Sequence, residues 1–156
     1  MRTTSPVPAA DCQVVAARCA CFALRKAARA VTQAFDEALR PWGLQPTQFS
    51  LLVAVRLLGE VGVSDLADEV VADPTTLSRN LAVLQRRGFV TTAAGEDRRT
   101  RLVRLTEQGH AVLARALPAW QDMNRRLSQD MGGERLAEMV RQVDMLTRIA
   151  LGDRAG

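Results

Sequence analysis

The chain has no tyrosine, and aromatic residues make up only 4% of its 156 positions. Apolar residues still reach 47%, so a sizeable core can form, but it must be built from Leu, Val, Ala and Met. No stretch approaches the roughly 18 uncharged apolar residues of a membrane span, which excludes a spanning segment. The opening MRTTSPVPAA holds Pro, Ser and Thr and no apolar run. It reads as a flexible arm over residues 1–10 and not as a secretory signal, and a cytoplasmic protein is expected. There is one histidine, His110, and there are three cysteines, Cys12, Cys19 and Cys21. An odd, clustered set is a poor disulfide framework. It also lacks the four-ligand spacing of a Cys/His zinc site, so no metal and no cofactor are expected. Internal repeats and low-complexity segments are absent.

What is present is an uneven distribution of charge. The chain nets +4. Residues 73–104 alone hold seven arginines, at 79, 86, 87, 98, 99, 101 and 104, against three acids, Asp73, Glu96 and Asp97. The whole positive excess therefore sits in one segment, and the rest of the chain is neutral. A local arginine-rich segment on a neutral body suggests a polyanion-binding surface. The plainer alternative is a solvated face that only keeps the chain soluble.

Apolar spacing predicts one long helix over residues 11–40, with a stripe of Cys21, Leu24, Ala28, Val31, Phe35 and Leu39. Pro41 and Gly43 end it. A second helix is predicted over 46–58. Ser64 reads as the N-cap of a short helix over 65–70. After a turn at Val71-Ala72, Asp73 caps the next helix and Pro74 takes its first position, where a missing N–H does no harm. That helix stops at Gly88, and the pair forms a helix-turn-helix. Strand composition at 89–93 and 100–105 brackets the polar AGEDRR turn, which predicts a β-hairpin. A helix-turn-helix followed by such a hairpin is a winged helix. Thr106 can cap a long helix to about residue 129, kinked at Pro118, and a last helix runs over 134–151.

The expected fold class is mainly α with a small β-hairpin wing. A DNA-binding winged helix-turn-helix domain is expected at 46–105. Residues 11–45 and 106–152 form a helical dimerisation region, because their long stripes need covering and a second copy is the natural cover.

The helix opening at ADPTTLSRNL places Leu77, Leu81 and Leu84 on its inner side at about 100° per residue. Thr75, Arg79, Ala82 and Arg86 then point outward, with Thr76 beside them and Ser78 at the edge. Small residues let a helix enter a groove closely. Hydroxyls can donate to phosphates or base edges, and Arg79 can reach a guanine edge with two parallel bonds. An ordinary amphipathic surface helix would show the same leucines. The hairpin tip, Asp97-Arg98-Arg99, discriminates. An arginine on a thin loop can enter the narrow minor groove, and Asp97 makes sense there if it orients a guanidinium by a charge-assisted bond.

The run from Val63 to Gly109 resembles the reader of the MarR family of bacterial transcription regulators. Its most specific marks are the D-x-R wing at Asp97-Arg98-Arg99 and the L-T-x-x-G at Leu105 to Gly109. The resemblance extends to LRPWGLQPTQFSLL (39–52) and the terminal helices. It implies a homodimeric repressor whose end helices interlock and whose two winged helices read a pseudo-palindrome of double-stranded DNA. Arg99 would be the minor-groove arginine and Asp97 its positioning partner. Thr75, Thr76, Ser78 and Arg79 would lie in the major groove, with Ser64, Arg86 and Arg98 as further DNA contacts. It also implies release by a small-molecule inducer or by cysteine oxidation.

The segment CFALRKAAR (21–29) is similar to the one carrying the sensing cysteine in the family's organic-hydroperoxide-sensing branch, with Cys21 at the matching place and Cys19 nearby. That branch holds its cysteine with tyrosine hydroxyls, and Arg25, Phe35 and Pro46 stand at those places here. On a continuous helix Cys19 and Cys21 lie about 200° apart. Cys12 and Cys19 lie about 10 Å apart along the axis, beyond disulfide reach. The plainer reading is that Cys19 and Cys21 are small buried apolar residues. Two rival functions remain: a winged helix that binds protein in place of DNA, and a thiol peroxidase built on Cys21. The charged wing argues against the first. The lack of a base or resolving thiol beside Cys21 argues against the second.

Overall fold

The computed structural model describes residues 7–95 and 100–152. Most of the arm at 1–10 and the wing residues Glu96 to Arg99 lie outside them. The elements run α1 (Ala9–Arg18), α2 (Ala20–Leu39), a 3₁₀ turn (Arg40–Trp42), α3 (Pro46–Leu58), β1 (Val61–Gly62), α4 (Val63–Glu69), α5 (Pro74–Arg86), β2 (Val90–Ala94), β3 (Arg101–Leu105), α6 (Glu107–Met131) and α7 (Gly133–Leu151). This is the expected mainly helical architecture around a small antiparallel sheet.

The sheet has the order β1-β3-β2. Val90 faces Leu105 and Ala94 faces Arg101 across the hairpin, while Val61 and Gly62 face Val103 and Leu102 on the other edge of β3. The third strand was not predicted, because two residues are too few to show an alternating pattern. It forms because β3 presents an open edge where the chain leaves α3.

The predicted single helix over 11–40 is two helices. Cys19 adopts an extended conformation, φ −80° and ψ 109°, and separates α1 from α2. No Pro or Gly lies beside the break, so nothing in local propensity announces it. The short helix also starts earlier than predicted. Gly62, extended at φ −62° and ψ 143°, is its N-cap and makes no side-chain bond. Ser64 therefore lies inside the first turn of α4 and does not cap it, because pairing of β1 with β3 holds Gly62 extended.

The core belongs to the centre of the chain. Leu52, Leu66, Leu77, Leu84 and Val103 are essentially inaccessible, and Leu39 of α2 with Val112 and Ala116 of α6 close the cluster from the side. By contrast α1 and α7 bury nothing. Val140 and Ile149 are 57% and 60% exposed, and on α2 Phe22 is 53% exposed. The apolar stripes predicted for the terminal helices exist, but one chain does not cover them.

The start of α6 is tied to the end of α5. The Thr106 hydroxyl accepts from the Gly109 amide at 3.0 Å, which caps the helix as expected, and donates to the Gly88 carbonyl at 2.5 Å. The Thr106 amide donates to the Phe89 carbonyl at 3.1 Å.

Candidate nucleic-acid interface

Helix α5 is built to present one face. The Asp73 carboxylate accepts from the Thr75 and Thr76 amides at 3.1 and 2.9 Å, and Pro74 occupies the first turn. Hydrogen bonding from the Thr76 side chain, then from the Thr76 amide, holds the Asp73 carboxyl below its ordinary value; the Thr75 amide and the Arg79 charge act in the same direction. Leu77, Leu81 and Leu84 are buried. Each buried leucine is worth about 1.5–3 kcal/mol, so these three set how the helix is turned. Thr75, Thr76, Ser78, Arg79, Ala82 and Arg86 all end up exposed, on the side predicted from the spacing. Asn80, which the sequence reading passed over, donates from its amide to the Thr76 carbonyl at 3.0 Å.

Between α5, the start of α4 and the sheet lies a hollow of about 480 Å³. Ser64, Asp65, Ser78, Ala82, Gln85, Thr92, Thr100 and Arg101 line it. The structure thus brings Ser64 and Ser78 together, as a shared surface would need. It adds Gln85, Thr92, Thr100 and Arg101, which sequence reasoning had not placed. Arg101 donates to the Thr92 hydroxyl at 3.2 Å. The signal was available in the alternation of β3: Arg101 is two residues from buried Val103 and so shares its face.

Asp97, Arg98 and Arg99, expected at the wing tip, lie outside the described residues. The strands that lead to them are in place, with Arg101 and Arg104 exposed on β3. Arg87, counted from the sequence among the seven arginines of the basic segment, is half-buried. Its guanidinium donates to the Gly43 carbonyl and, at 3.5 Å, to that of Trp42, and it lies 4.6 Å from the Phe89 ring centroid.

The cysteines also depart from their plainer reading. Cys12 and Cys21 are exposed and Cys19 is only partly covered, all as free thiols. They are not buried within the chain, because α1 and the first half of α2 pack against little of it. The helix break at Cys19 removes the premise of the spacing argument. Among the described residues no group of three or more His, Cys, Asp and Glu side chains could hold a metal, and no helix is long and apolar enough to cross a membrane. His110 is exposed in the first turn of α6.

A second cavity, of about 320 Å³, lies where α3 meets α6. Phe49, Val53, Ala54, Leu57, Val70, Leu117 and Trp120 give it apolar walls, with Ser50 and Glu69 at its polar edge. Phe49 and Trp120 stack in its wall, ring centroids 6.5 Å apart and planes 18° apart.

Comparison with known proteins gives these surfaces a context. The sequence profile of the MarR family matches residues 42–100. The transcriptional regulator MosR of M. tuberculosis, solved in complex with DNA, is 38% identical; the match covers 88% of this chain and 99% of that one, with a TM-score of 0.80. An uncharacterized HTH-type transcriptional regulator of Bacillus cereus is 28% identical over 117 residues, 75% of this chain and 77% of the relative. Another, from B. cereus strain ZK, is 34% identical over 86 residues, and the chain spans only 57% of its length.

Proposed function

The chain belongs to the MarR family of transcriptional regulators, and from that premise we propose that it is a homodimeric repressor that reads a pseudo-palindromic operator. Helix α5 enters the major groove. Thr75, Thr76 and Ser78 contact phosphates and base edges, Arg79 reaches a guanine, and Arg86 and Ser64 hold the flanking backbone. Arg99 enters the minor groove, oriented by Asp97, with Arg98 on the adjoining phosphates. Residues 46–105 are the reader, and 11–45 with 106–152 are the dimer arms.

The observation that carries this reading is the outer face of α5. Six small or cationic side chains are exposed together while three leucines fix the helix beneath them. The uncovered apolar faces of α1 and α7 support the second copy. The apolar cavity lined by Phe49, Leu117 and Trp120 supports release by a small apolar ligand. The exposed thiol of Cys21 and the partly covered one of Cys19 keep oxidation as a second route of release. The work lies in the cytoplasm, where the DNA is.

The test is a duplex recovered by selection from a random pool with the wild-type protein. Binding should weaken steeply with salt as counterions are released, and Arg79→Ala should discriminate about 10–100-fold less well between the selected duplex and random DNA. Failure to enrich any duplex, or a flat salt response, would overturn the reading.

A further inference from the structure

Arg87 is placed unlike the other arginines of its segment. It is the C-cap residue of α5, directly after Arg86. Its neighbour faces solvent, whereas Arg87 turns back toward the corner that joins α2 to α3. There its guanidinium donates to the Gly43 and Trp42 carbonyls, 44 and 45 residues away in sequence. The Phe89 ring lies against it, with the guanidinium carbon 4.6 Å from the ring centroid, and Phe89 itself is buried. Gly43 is left-handed at φ +63°, and a Cβ there would sit 2.8 Å from the guanidinium. The corner is shaped so that this arginine fits.

The position of this contact matters more than its strength. The corner stands at the foot of α2, and the other side of the same joint is the Thr106 bond to Gly88. The C-terminal end of α5 is therefore gripped from two sides by the two parts of the chain that carry the dimer arms. A planar guanidinium can donate to two carbonyls and stack on a ring at once, which an ammonium cannot do.

We infer that Arg87 is a positioning residue for operator reading: it contacts no DNA, and it sets the angle of the recognition helix against the dimer arms and so the half-site spacing the dimer accepts. This rests on the proposed function above. It assigns to Arg87 a role that charge alone would not. A phosphate ligand needs only its positive charge, whereas a clasp needs the guanidinium shape, so lysine separates the two.

The experiment compares wild type, Arg87→Lys, Arg87→Met and Arg86→Gln on the selected duplex, with its half-site spacer shortened or lengthened by one and two base pairs. A second readout needs neither DNA nor a dimer. Nitroxide labels at exposed Ala82 on α5 and Ala114 on α6, in a chain whose cysteines are replaced by serine and diluted with unlabelled chain, report the distance across the joint. Both Arg87 variants should lose affinity for the best spacer by about ten-fold, accept the altered spacers more evenly and broaden the label distance, while the slope of log affinity against log salt stays at the wild-type value. Arg86→Gln should lower that slope by about one and leave the spacer preference sharp. If Arg87→Met lowers the slope by about one and Arg87→Lys restores it, Arg87 is a phosphate ligand and the inference is overturned. An unchanged label distance overturns it as well. Wild type that enriches no duplex overturns the reading beneath it, while the label distance still decides whether Arg87 holds the joint. Should Arg87→Met not fold, Arg87→Lys carries each comparison.

Discussion

Gly109 stands against the carbonyl of Phe89 so closely that a Cβ on it would lie 2.0 Å from that oxygen. The obstacle is backbone, which cannot rotate away. It sits at the point where the first turn of α6 meets the end of the reader. This is the physical meaning of the glycine in the Leu105-Thr106-Glu107-Gln108-Gly109 run: it permits contact between two main chains. Gly109→Ala should therefore destabilise the fold by about 2–3 kcal/mol, the upper part of the range for overpacking, read from the denaturant midpoint. Gly133→Ala is the comparison. Its nearest obstacle is the Ser128 hydroxyl at 3.3 Å, and the change should stay within about 0.5 kcal/mol.

The cap at the head of α5 carries a pH dependence. Asp73 has its carboxyl held below the ordinary aspartate value by hydrogen bonding from Thr76, side chain first and then amide. A carboxyl depressed in the folded state adds stability above its unfolded value and loses it as pH falls through the folded one. Asp73→Ala should lower the melting temperature at neutral pH, and the gap to wild type should close as pH is taken below about 4. Asp73→Asn, which can still accept from both amides, should remain nearer to wild type at neutral pH. A gap between Asp73→Ala and wild type that is constant from pH 7 to pH 3 would contradict this account.

The turn between α4 and α5 contains a strained residue. Val71 is left-handed at φ +49°, the only such non-glycine among the described residues, and its side chain is 53% exposed. A β-branched residue there costs about 1–3 kcal/mol, and little packing would be lost on replacing it. Val71→Asn should stabilise the chain by about 0.5–1 kcal/mol, since asparagine tolerates this conformation. Thermal melts of the two proteins decide the sign.

The uncovered face of α7 predicts where association can be broken. Ile149→Glu and Val140→Glu place charges at positions 60% and 57% exposed in the single chain, so the protomer should still fold. Sedimentation should show a shift from dimer to monomer, and the melting temperature should lose its dependence on protein concentration. A dimer unaffected by both changes would move the interface elsewhere.

Much of the fold was legible in the sequence because it is decided within a few residues. Asp73 and Pro74 start α5, Thr106 starts α6, and Gly88 ends the reading helix. The leucines at 77, 81 and 84 select its inner face by spacing alone, so the outward set from Thr75 to Arg86 followed without any tertiary knowledge. The misreadings share a different cause. Ser64 has the residue type of a cap, yet pairing of β1 with β3 gives that place to Gly62. The exposure of Cys21 reflects how little of the chain the first half of α2 packs against, and the break at Cys19 has no Pro or Gly beside it to announce it.

Local chemistry by itself therefore determined most of the helices, the starts of α5 and α6 and the face α5 turns outward, but not β1, the break at Cys19 or the start of α4. Only the tertiary structure decided what Arg87 holds, since Arg86 and Arg87 are chemically identical neighbours. What separates them is a pair of carbonyls more than forty residues away, brought within reach by folding and by nothing in the adjacent sequence.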